Sequence, residues 1–462
     1  MKKIVSLLLI LVVIMSLFSG CEKEEPKETI VLNVFNWGEY ISDGDGSWEY
    51  EDENGNVIEI PYLNINDEFE KYYNELHPGV NLEVNYTTYT SNEDLYAKMT
   101  TSDASYDIII PSDYLINKLI KEELIQPINI DNIPNFKNIG EQYLAENVSY
   151  IEKDGERVYY SATYTFCKVG VIYNKTILEN TFEDFSQEEF EKEGWGVLWN
   201  EKYKDLGILQ FNNSRDAFAT AQFILMNEDN YRGETSYINK SLSDPDGKSI
   251  YDRSLELLRE QQPLIQKYVM DEVFNKIETG NAAIAPYYGG DYFTMMWNCE
   301  EEYELCMFYP EEGSNSFLDA MCIPTSSKHP EIAEEYINFM LSTDEDPTKN
   351  IAAINAEYIC YGSPNMKVQE DPYYKYFVEN EISEDGYDLL YGEDSFNFKK
   401  EGFICLDDET QYYLNECWDS LKIQDSNFGI LMPLICIVLV VLIGAMLTVN
   451  AVKKRKRAKY WD

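Results

Sequence analysis

The stretch 106–124, YDIIIPSDYLINKLIKEEL, decides the fold class of this chain. An uninterrupted apolar run is followed by Pro111 and then by apolar residues at helical spacing. A short apolar run of this kind is typical of a strand buried in a parallel sheet, and the spacing after it predicts an amphipathic helix. The stretch therefore predicts one strand–helix unit of an α/β protein.

Strands and helices continue to alternate on both sides of this unit. Upstream, the patterns predict strands at 31–37 and 80–89 and helices at 64–78 and 91–101, the latter with a capping box from Ser91 to Asp94. The resulting order β-α-β-α-β-α predicts a parallel sheet with helices on both faces. Downstream, the patterns predict strands at 169–174, 206–211, 281–288 and 318–324, and helices at 214–226, 250–265, 291–298, 329–341, 346–358 and 409–423.

One segment interrupts the alternation. Residues 42–61, SDGDGSWEYEDENGNVIEIP, are polar, acidic and rich in glycine. The pair Asn54-Gly55 is a turn signal, so we expect a small hairpin there.

Charge and cysteine content exclude several classes of protein. The 462 residues include 83 acidic and 37 basic side chains, and the formal net charge of −46 repels nucleic acid. Two histidines and no C-x-x-C argue against a zinc site of common type, and no cofactor is predicted. Among nine cysteines, Cys299 and Cys306 flank a short acidic stretch and could close a small loop.

The N-terminus predicts export. Residues 1–20 combine two lysines, an apolar run and small residues before Cys21. Small residues directly before a cysteine resemble a bacterial lipobox, so we expect residues 1–20 to be a lipoprotein signal peptide and Cys21 to carry lipid. The polar residues 21–28 then form a short tether.

The C-terminus predicts a membrane anchor. Residues 428–452 contain no charged side chain, and the basic run KKRKR follows at once. About 20 apolar residues span a bilayer, and a basic flank stays in the cytoplasm. We therefore expect a transmembrane helix at 428–452, a cytoplasmic tail at 453–462, and a main domain on the extracellular or periplasmic face of the cell membrane.

Aromatic and acidic residues gather after several predicted strands. Ligands of open parallel sheets bind beyond the carboxyl ends of the strands. Ring faces and carboxylates together suit a linear organic cation, because rings attract ammonium groups and carboxylates hydrogen-bond to them. Each residue alone could instead be a packing residue or a helix cap. The candidate ligand-binding residues are Trp37, Tyr40, Ser112, Tyr114, Asn213, Asp216, Tyr288, Asp291, Phe317, Asp319 and Tyr361; Glu39 either joins them or faces solvent.

Several of these stretches resemble the bacterial spermidine/putrescine-binding proteins, the substrate-binding subunits of polyamine ABC importers. The resemblance covers roughly residues 30–425. It is strongest in FNWGEYI (35–41) and in YDIIIPSDY (106–114). Supporting stretches are TTYTSNEDLYAKM, LWNEKYKDLGILQFNNSRDAF, FLDAMCIP and YGSPN.

The resemblance implies a two-lobed type II periplasmic-binding-protein fold with a ligand cleft between the lobes. One lobe would contain residues 29–158 and 318–370, and the other residues 159–317 and 371–425. The chain would cross between the lobes at a hinge, and the lobes would close over the amine.

The resemblance also assigns roles to individual residues. Trp37, Tyr40, Ser112 and Tyr114 would line one wall. Asp216 and Asp319 would bind amines, and Tyr288, Phe317 and Tyr361 would supply further rings.

Three positions bear on the choice of amine. Asn213 stands where spermidine-preferring members have Asp. Asp291 and Phe317 match the putrescine-preferring relatives. These positions favour putrescine, with spermidine still open.

The expected function is a membrane-anchored, monomeric receptor, not an enzyme, that delivers a polyamine to an ABC permease. One alternative is a binding protein of the same fold for another organic cation or amine-bearing solute. Another is a sensor ectodomain. A surface hydrolase is disfavoured because the sequence has no G-x-S-x-G and no HExxH.

Overall fold

The described part of the chain begins at the first strand and ends with a long helix. The structure is a computed structural model that describes residues 28–52, 54–101, 105–231, 233, 235–382, 386–392 and 396–425. The predicted signal peptide 1–20, Cys21, the predicted span 428–452 and the tail 453–462 lie outside these residues. Within the described ranges, no helix combines the length and apolarity needed to cross a bilayer. Glu28, which the sequence placed in the tether, is the first residue of β1.

The N-terminal elements follow the predicted alternation. The capping box is confirmed, since the Asp94 backbone N–H donates to Ser91 Oγ at 3.1 Å. The elements are β1 (Glu28–Trp37), β2 (Ser47–Glu51), β3 (Val57–Pro61), α1 (Ile65–Leu76), β4 (Val80–Tyr89), α2 (Asn92–Thr101), β5 (Ile108–Ile109), α3 (Asp113–Lys121), β6 (Ile125–Gln126), β7 (Tyr150–Lys153), β8 (Glu156–Tyr159) and β9 (Ser161–Asn174).

The middle of the chain repeats the strand–helix order after the long strand β9. It contains α4 (Lys175–Thr181), α5 (Gln187–Lys192), β10 (Ile208–Phe211), α6 (Ser214–Glu228), α7 (Gly247–Gln261), β11 (Ile265–Val269), α8 (Glu272–Glu278), β12 (Ile284–Tyr288), α9 (Gly289–Asn298), β13 (Leu305–Phe308) and β14 (Ser316–Pro324).

The C-terminal part is helical. It contains α10 (Pro330–Met340), α11 (Ile351–Ile359), α12 (Met366–Glu370), α13 (Pro372–Tyr376), a π-helical turn (Phe377–Ile382), α14 (Gly386–Tyr391), α15 (Phe398–Glu401) and α16 (Asp408–Asp425).

A ten-stranded sheet organises the fold. Eight strands follow the path β11-β10-β12-β9-β14-β5-β1-β4, while β13 pairs with β9 and β6 pairs with β14. β1 pairs in parallel with β4 and β5, and β10 pairs in parallel with β11 and β12. The prediction of parallel pairing is therefore right for both ends of the sheet. It is wrong for the centre, where β9 and β14 pair antiparallel with each other and with their outer neighbours. β9 and β14 carry the chain between the two halves of the sheet in opposite directions, so they pair antiparallel.

The sheet has a separate core on each half. One cluster surrounds β10 and β12 and includes Phe211 and Phe293. The clusters on the other half surround β1 and β5 and include Leu32 and Ile109. All 14 residues of β9 are buried, as its position between the halves requires. This arrangement gives two lobes joined through the sheet centre.

Two local predictions have opposite outcomes. The hairpin at 42–61 is confirmed, with β2 and β3 paired antiparallel around a turn that contains Gly55 at φ 78°. The loop closure between Cys299 and Cys306 is not formed, because both are free thiols. Cys306 lies opposite Tyr173 in the β13–β9 pair, whereas the Cys299 thiol faces the carbonyl oxygen of Glu278 at 3.7 Å.

Candidate functional site

A tight turn after β1 directs Tyr40 into the sheet centre. Glu39 adopts φ 52° and reverses the chain, while its side chain stays exposed. The Tyr40 carbonyl oxygen accepts hydrogen bonds from Asn36 Nδ2 at 3.2 Å and from the Tyr164 hydroxyl at 2.6 Å. Asn36 also accepts from the Trp37 backbone N–H at 2.8 Å. The turn is therefore held by buried partners, and the Tyr40 ring is fixed in place.

Asp319 on β14 is the first carboxylate of the site. Its Oδ2 accepts a hydrogen bond from the Tyr40 hydroxyl at 2.8 Å, and that hydroxyl also lies 2.6 Å from Thr165 Oγ1. The backbone of Ser112 forms an isolated antiparallel β-bridge with the backbone of Asp319. The second oxygen, Oδ1, is buried and has no hydrogen-bond partner among the described residues. Because a buried acceptor without a donor is costly, this atom is suited to receive a ligand N–H group.

Burial controls the ionisation of Asp319. It raises the pKa of the carboxyl to about 6, while the Ser112 and Tyr40 hydroxyls oppose the rise. The group is therefore a carboxylate at neutral pH and close to its titration range.

Asp216 at the start of α6 is the second carboxylate. Asn213 caps the helix, since its Oδ1 accepts from the Asp216 backbone N–H at 2.8 Å. The Asn213 Nδ2 donates back to Asp216 Oδ2 at 2.5 Å, and the Tyr288 hydroxyl donates to the same oxygen at 3.1 Å. Burial raises the pKa of Asp216, whereas these two donors and the nearby Arg215 lower it. One oxygen of this carboxylate is thus already hydrogen-bonded twice.

Asp291 in the first turn of α9 is a third acid, paired with Tyr361. Burial raises its pKa to about 7, the Tyr361 hydroxyl lowers it, and Asp271 and Glu39 raise it further. The residue before it must be glycine, because a Cβ on Gly290 would lie 2.3 Å from the Tyr361 ring.

A row of rings connects the two main carboxylates. The Tyr40 and Tyr361 ring centroids lie 5.0 Å apart, those of Tyr361 and Phe317 lie 6.4 Å apart, and those of Phe317 and Tyr288 lie 5.5 Å apart. Tyr40 donates to Asp319 at one end and Tyr288 donates to Asp216 at the other. The structure thus connects six of the predicted residues, four rings and two carboxylates, in one largely buried row.

Trp37 and Tyr114 have their ring contacts elsewhere. Trp37 packs on Tyr89 at 4.6 Å, and its buried indole N–H has no hydrogen-bond partner in the described part of the chain. The Tyr114 hydroxyl donates to Glu93 at 3.3 Å, and its ring lies 5.9 Å from the Arg215 guanidinium. They therefore flank the row of rings instead of forming part of it.

Three residues near the site were not predicted from the sequence. Thr165 lies directly opposite Asp319 in the β9–β14 pair, and nothing in its local pattern indicated this. Asp113 is fully buried and accepts from the Leu318 backbone N–H at 3.3 Å. Arg215 stacks on Phe403 at 4.3 Å. Of these three residues, Arg215 had a usable signal in the sequence, because the turn NNSRD places it directly before Asp216.

The chemistry of the site is that of cation binding. Two carboxylates lie at the ends of the row of rings, Asp291 adds a third acid beside Tyr361, and the groups that contact Asp319 are hydroxyls. Among the described residues, no cluster of acids, histidines and cysteines could hold a metal ion. Rings beside carboxylates favour an organic cation as the ligand.

Comparison with known proteins identifies the family. Residues 59–347 match the family model of bacterial extracellular solute-binding proteins. The chain belongs to this family. Membership confirms the prediction of a binding protein instead of an enzyme.

Two curated relatives and one solved structure are similar over most of their length. The chain is 27% identical over 290 residues to the spermidine/putrescine-binding periplasmic protein of Salmonella typhimurium, covering 63% of this chain and 72% of the relative. It is 22% identical over 399 residues to the putrescine-binding periplasmic protein SpuD of Pseudomonas aeruginosa, covering 85% and 92%.

The solved structure is the spermidine/putrescine ABC transporter substrate-binding protein PotD of Streptococcus pneumoniae. Identity is 25%, the TM-score is 0.59, and the match covers 85% of this chain and 98% of the other. The match confirms the two-lobed periplasmic-binding-protein fold for the solute-binding domain.

Proposed function

We propose that the protein is a receptor that captures a polyamine and delivers it to the permease of an ABC importer. The observation that carries the proposal is the pair Asp319 and Asp216, joined by a row of rings. The names of the relatives, which bind spermidine or putrescine, agree with this chemistry.

The ligand would lie along the row of rings. One ammonium group donates to the free Oδ1 of Asp319, and the other approaches Asp216. The methylenes between them lie against Tyr361 and Phe317, with Tyr40 and Tyr288 near the ends. A cation over a ring face contributes about 0.5–2 kcal/mol, and burial of each methylene adds about 0.8 kcal/mol.

Putrescine fits the acids of this site better than spermidine does. At the Asp216 end, Asn213 contributes a neutral amide that donates a hydrogen bond and adds no negative charge. Asp291 supplies an acid that is partly protonated near neutral pH. Asp319 and Asp216 thus provide two carboxyl groups for two ammonium groups.

The lobes would close over the ligand. We assign residues 29–158 and 318–370 to one lobe and residues 159–317 and 371–425 to the other, with β9 and β14 as the connecting strands. Closure would exclude water from the carboxylates and strengthen their contact with the ligand.

The predicted lipid on Cys21 and the predicted span 428–452 would keep the receptor at the outer face of the membrane. It would act there as a monomer beside the permease. Two anchors on one chain suit a receptor that would otherwise diffuse away from the cell.

Calorimetry tests the proposal. Titration of the purified domain with putrescine or spermidine should show micromolar or tighter binding. A quaternary ammonium compound serves as the control, because it cannot donate a hydrogen bond to Asp319. Equal affinity for that compound would indicate a general organic-cation receptor, and no heat with either polyamine would overturn the proposal.

A further inference from the structure

The hairpin of residues 47–61 packs on helices that follow the site in sequence. Trp48 is only 6% exposed. Its ring centroid lies 5.2 Å from that of Phe377 and 6.2 Å from that of Tyr376. Tyr50 contacts the same segment, with its ring 4.7 Å from Tyr373. The hairpin is therefore anchored on the C-terminal helices by large aromatic side chains.

The hairpin also reaches α11. The Trp48 indole N–H donates to Glu357 Oε2 at 3.0 Å, and Glu357 is 2% exposed. Directly after the hairpin, the Tyr62 ring meets that of Tyr358 at 5.2 Å. Two consecutive residues of α11 are thus contacted by the hairpin and by the residue that follows it.

α11 ends at the candidate ligand-binding site. Cys360 terminates it at φ 57°, and its thiol donates to the Glu357 carbonyl oxygen at 3.2 Å. The next residue is Tyr361, whose ring lies between Tyr40 and Phe317. A change in the last turn of α11 would therefore move this ring.

We infer that the hairpin is a brace that positions Tyr361 for ligand binding, with Trp48 and Glu357 as positioning residues. This inference rests on the proposed function. Glu357 has the Trp48 indole as its side-chain hydrogen-bond donor among the described residues. Without that donor the buried carboxyl is unsatisfied and the turn must shift to find another. Contacts with a ligand are short-ranged, so a small shift of Tyr361 lowers affinity.

Trp48→Phe is the direct test, because it keeps an aromatic ring and removes the N–H group. We expect putrescine to bind about five- to tenfold more weakly in calorimetry, the equivalent of one lost hydrogen bond. Trp199→Phe is the matched control. Its indole N–H donates to the Leu257 carbonyl oxygen at 2.8 Å, and neither residue contacts the hairpin or α11 through this bond. That variant loses one hydrogen bond of the same kind and should keep the wild-type affinity.

Variants of Glu357 separate positioning from general stability. Burial raises the pKa of Glu357 to about 8, so the group is largely a neutral acid at pH 7. Glu357→Gln keeps a neutral acceptor and should restore most of the affinity that Glu357→Leu loses. The double variant Trp48→Phe with Glu357→Leu should bind putrescine no more weakly than the weaker-binding single variant, because both substitutions remove the same contact.

The outcomes distinguish this inference from the proposed function. A folded Trp48→Phe protein with wild-type affinity for putrescine overturns the inference alone, as does equal weakening in Trp199→Phe. A wild-type protein that binds no polyamine overturns the proposed function and the inference together.

Discussion

The two carboxylates at the ends of the row of rings differ in how far their oxygens are already satisfied. Asp216 Oδ2 accepts from both Asn213 and Tyr288. Asp319 accepts from Tyr40 on one oxygen and has the Ser112 hydroxyl beside it, and its buried Oδ1 has no hydrogen bond of normal geometry among the described residues. An ammonium group therefore gains more at Asp319, where it satisfies a buried acceptor, than at Asp216. The site should bind its ligand mainly at one end and select it at the other.

The largest effect should come from Asp319→Asn. The substitution preserves the shape of the side chain and removes its charge, so a buried ammonium loses its ionic partner. Loss of one partner of a buried charge pair costs about 2–5 kcal/mol, so putrescine should bind at least about 30-fold more weakly in calorimetry. Thermal unfolding provides the control for folding, and a change below a few fold would contradict the role of Asp319.

Asp216→Asn should cost less, about tenfold, because its charge is already partly compensated by Asn213, Tyr288 and Arg215. The same titration measures it. A loss equal to or larger than that of Asp319→Asn would break the proposed difference between the two ends.

A change of pH should alter the affinity for putrescine about as much as Asp216→Asn does. The pKa of Asp319 is about 6 in the unliganded protein, so the carboxylate must lose its proton before it can pair with an ammonium. Affinity for putrescine should fall by about tenfold between pH 7 and pH 5. Asp319→Asn should remove this fall in affinity. The pH dependence that Asp291 causes near pH 7 should remain.

Stability of the unliganded protein should change in the opposite direction. The folded pKa of Asp319 lies above the ordinary value of 3.8. Its contribution to the free energy of unfolding is therefore fully present below about pH 3.8 and is lost as the pH rises through 6. Denaturant unfolding at pH 5 and pH 7, compared with Asp319→Asn, measures this; a smaller pH dependence in the variant is expected, and an unchanged one would contradict the assignment.

The smallest effect should be a change in selectivity. Asn213→Asp adds a charge at the Asp216 end and keeps a good helix cap. Spermidine, with one more amine, should gain a few fold in affinity relative to putrescine. Competition between the two amines measures the ratio, and a shift toward putrescine would contradict the role given to Asn213.

Much of the fold follows from local patterns. The run 106–124 gives β5 and α3, and the capping pattern at Ser91 gives the start of α2. The hairpin turn at Gly55 was visible because its residues favour one turn geometry. Such features depend on neighbours in sequence, so the sequence suffices to find them.

The antiparallel pairing at the centre of the sheet could not be predicted from local sequence patterns. β9 and β14 are buried along their whole length, and burial of both faces is the same for parallel and antiparallel pairing. Their pairing sets Thr165 opposite Asp319, so Thr165 was missed. The resemblance supplied Asp319 as an amine-binding acid, but only the three-dimensional packing reveals which of its oxygens is free.

A calorimetric comparison of putrescine with butylamine, which has the same four carbons and one amine fewer, tests whether the site holds a diamine. We expect micromolar or tighter binding of putrescine and binding of butylamine at least about tenfold weaker, because the end at Asp216 then has no ammonium partner. Equal affinity for the two amines, or no heat with putrescine, would contradict a site built to hold a diamine between two carboxylates.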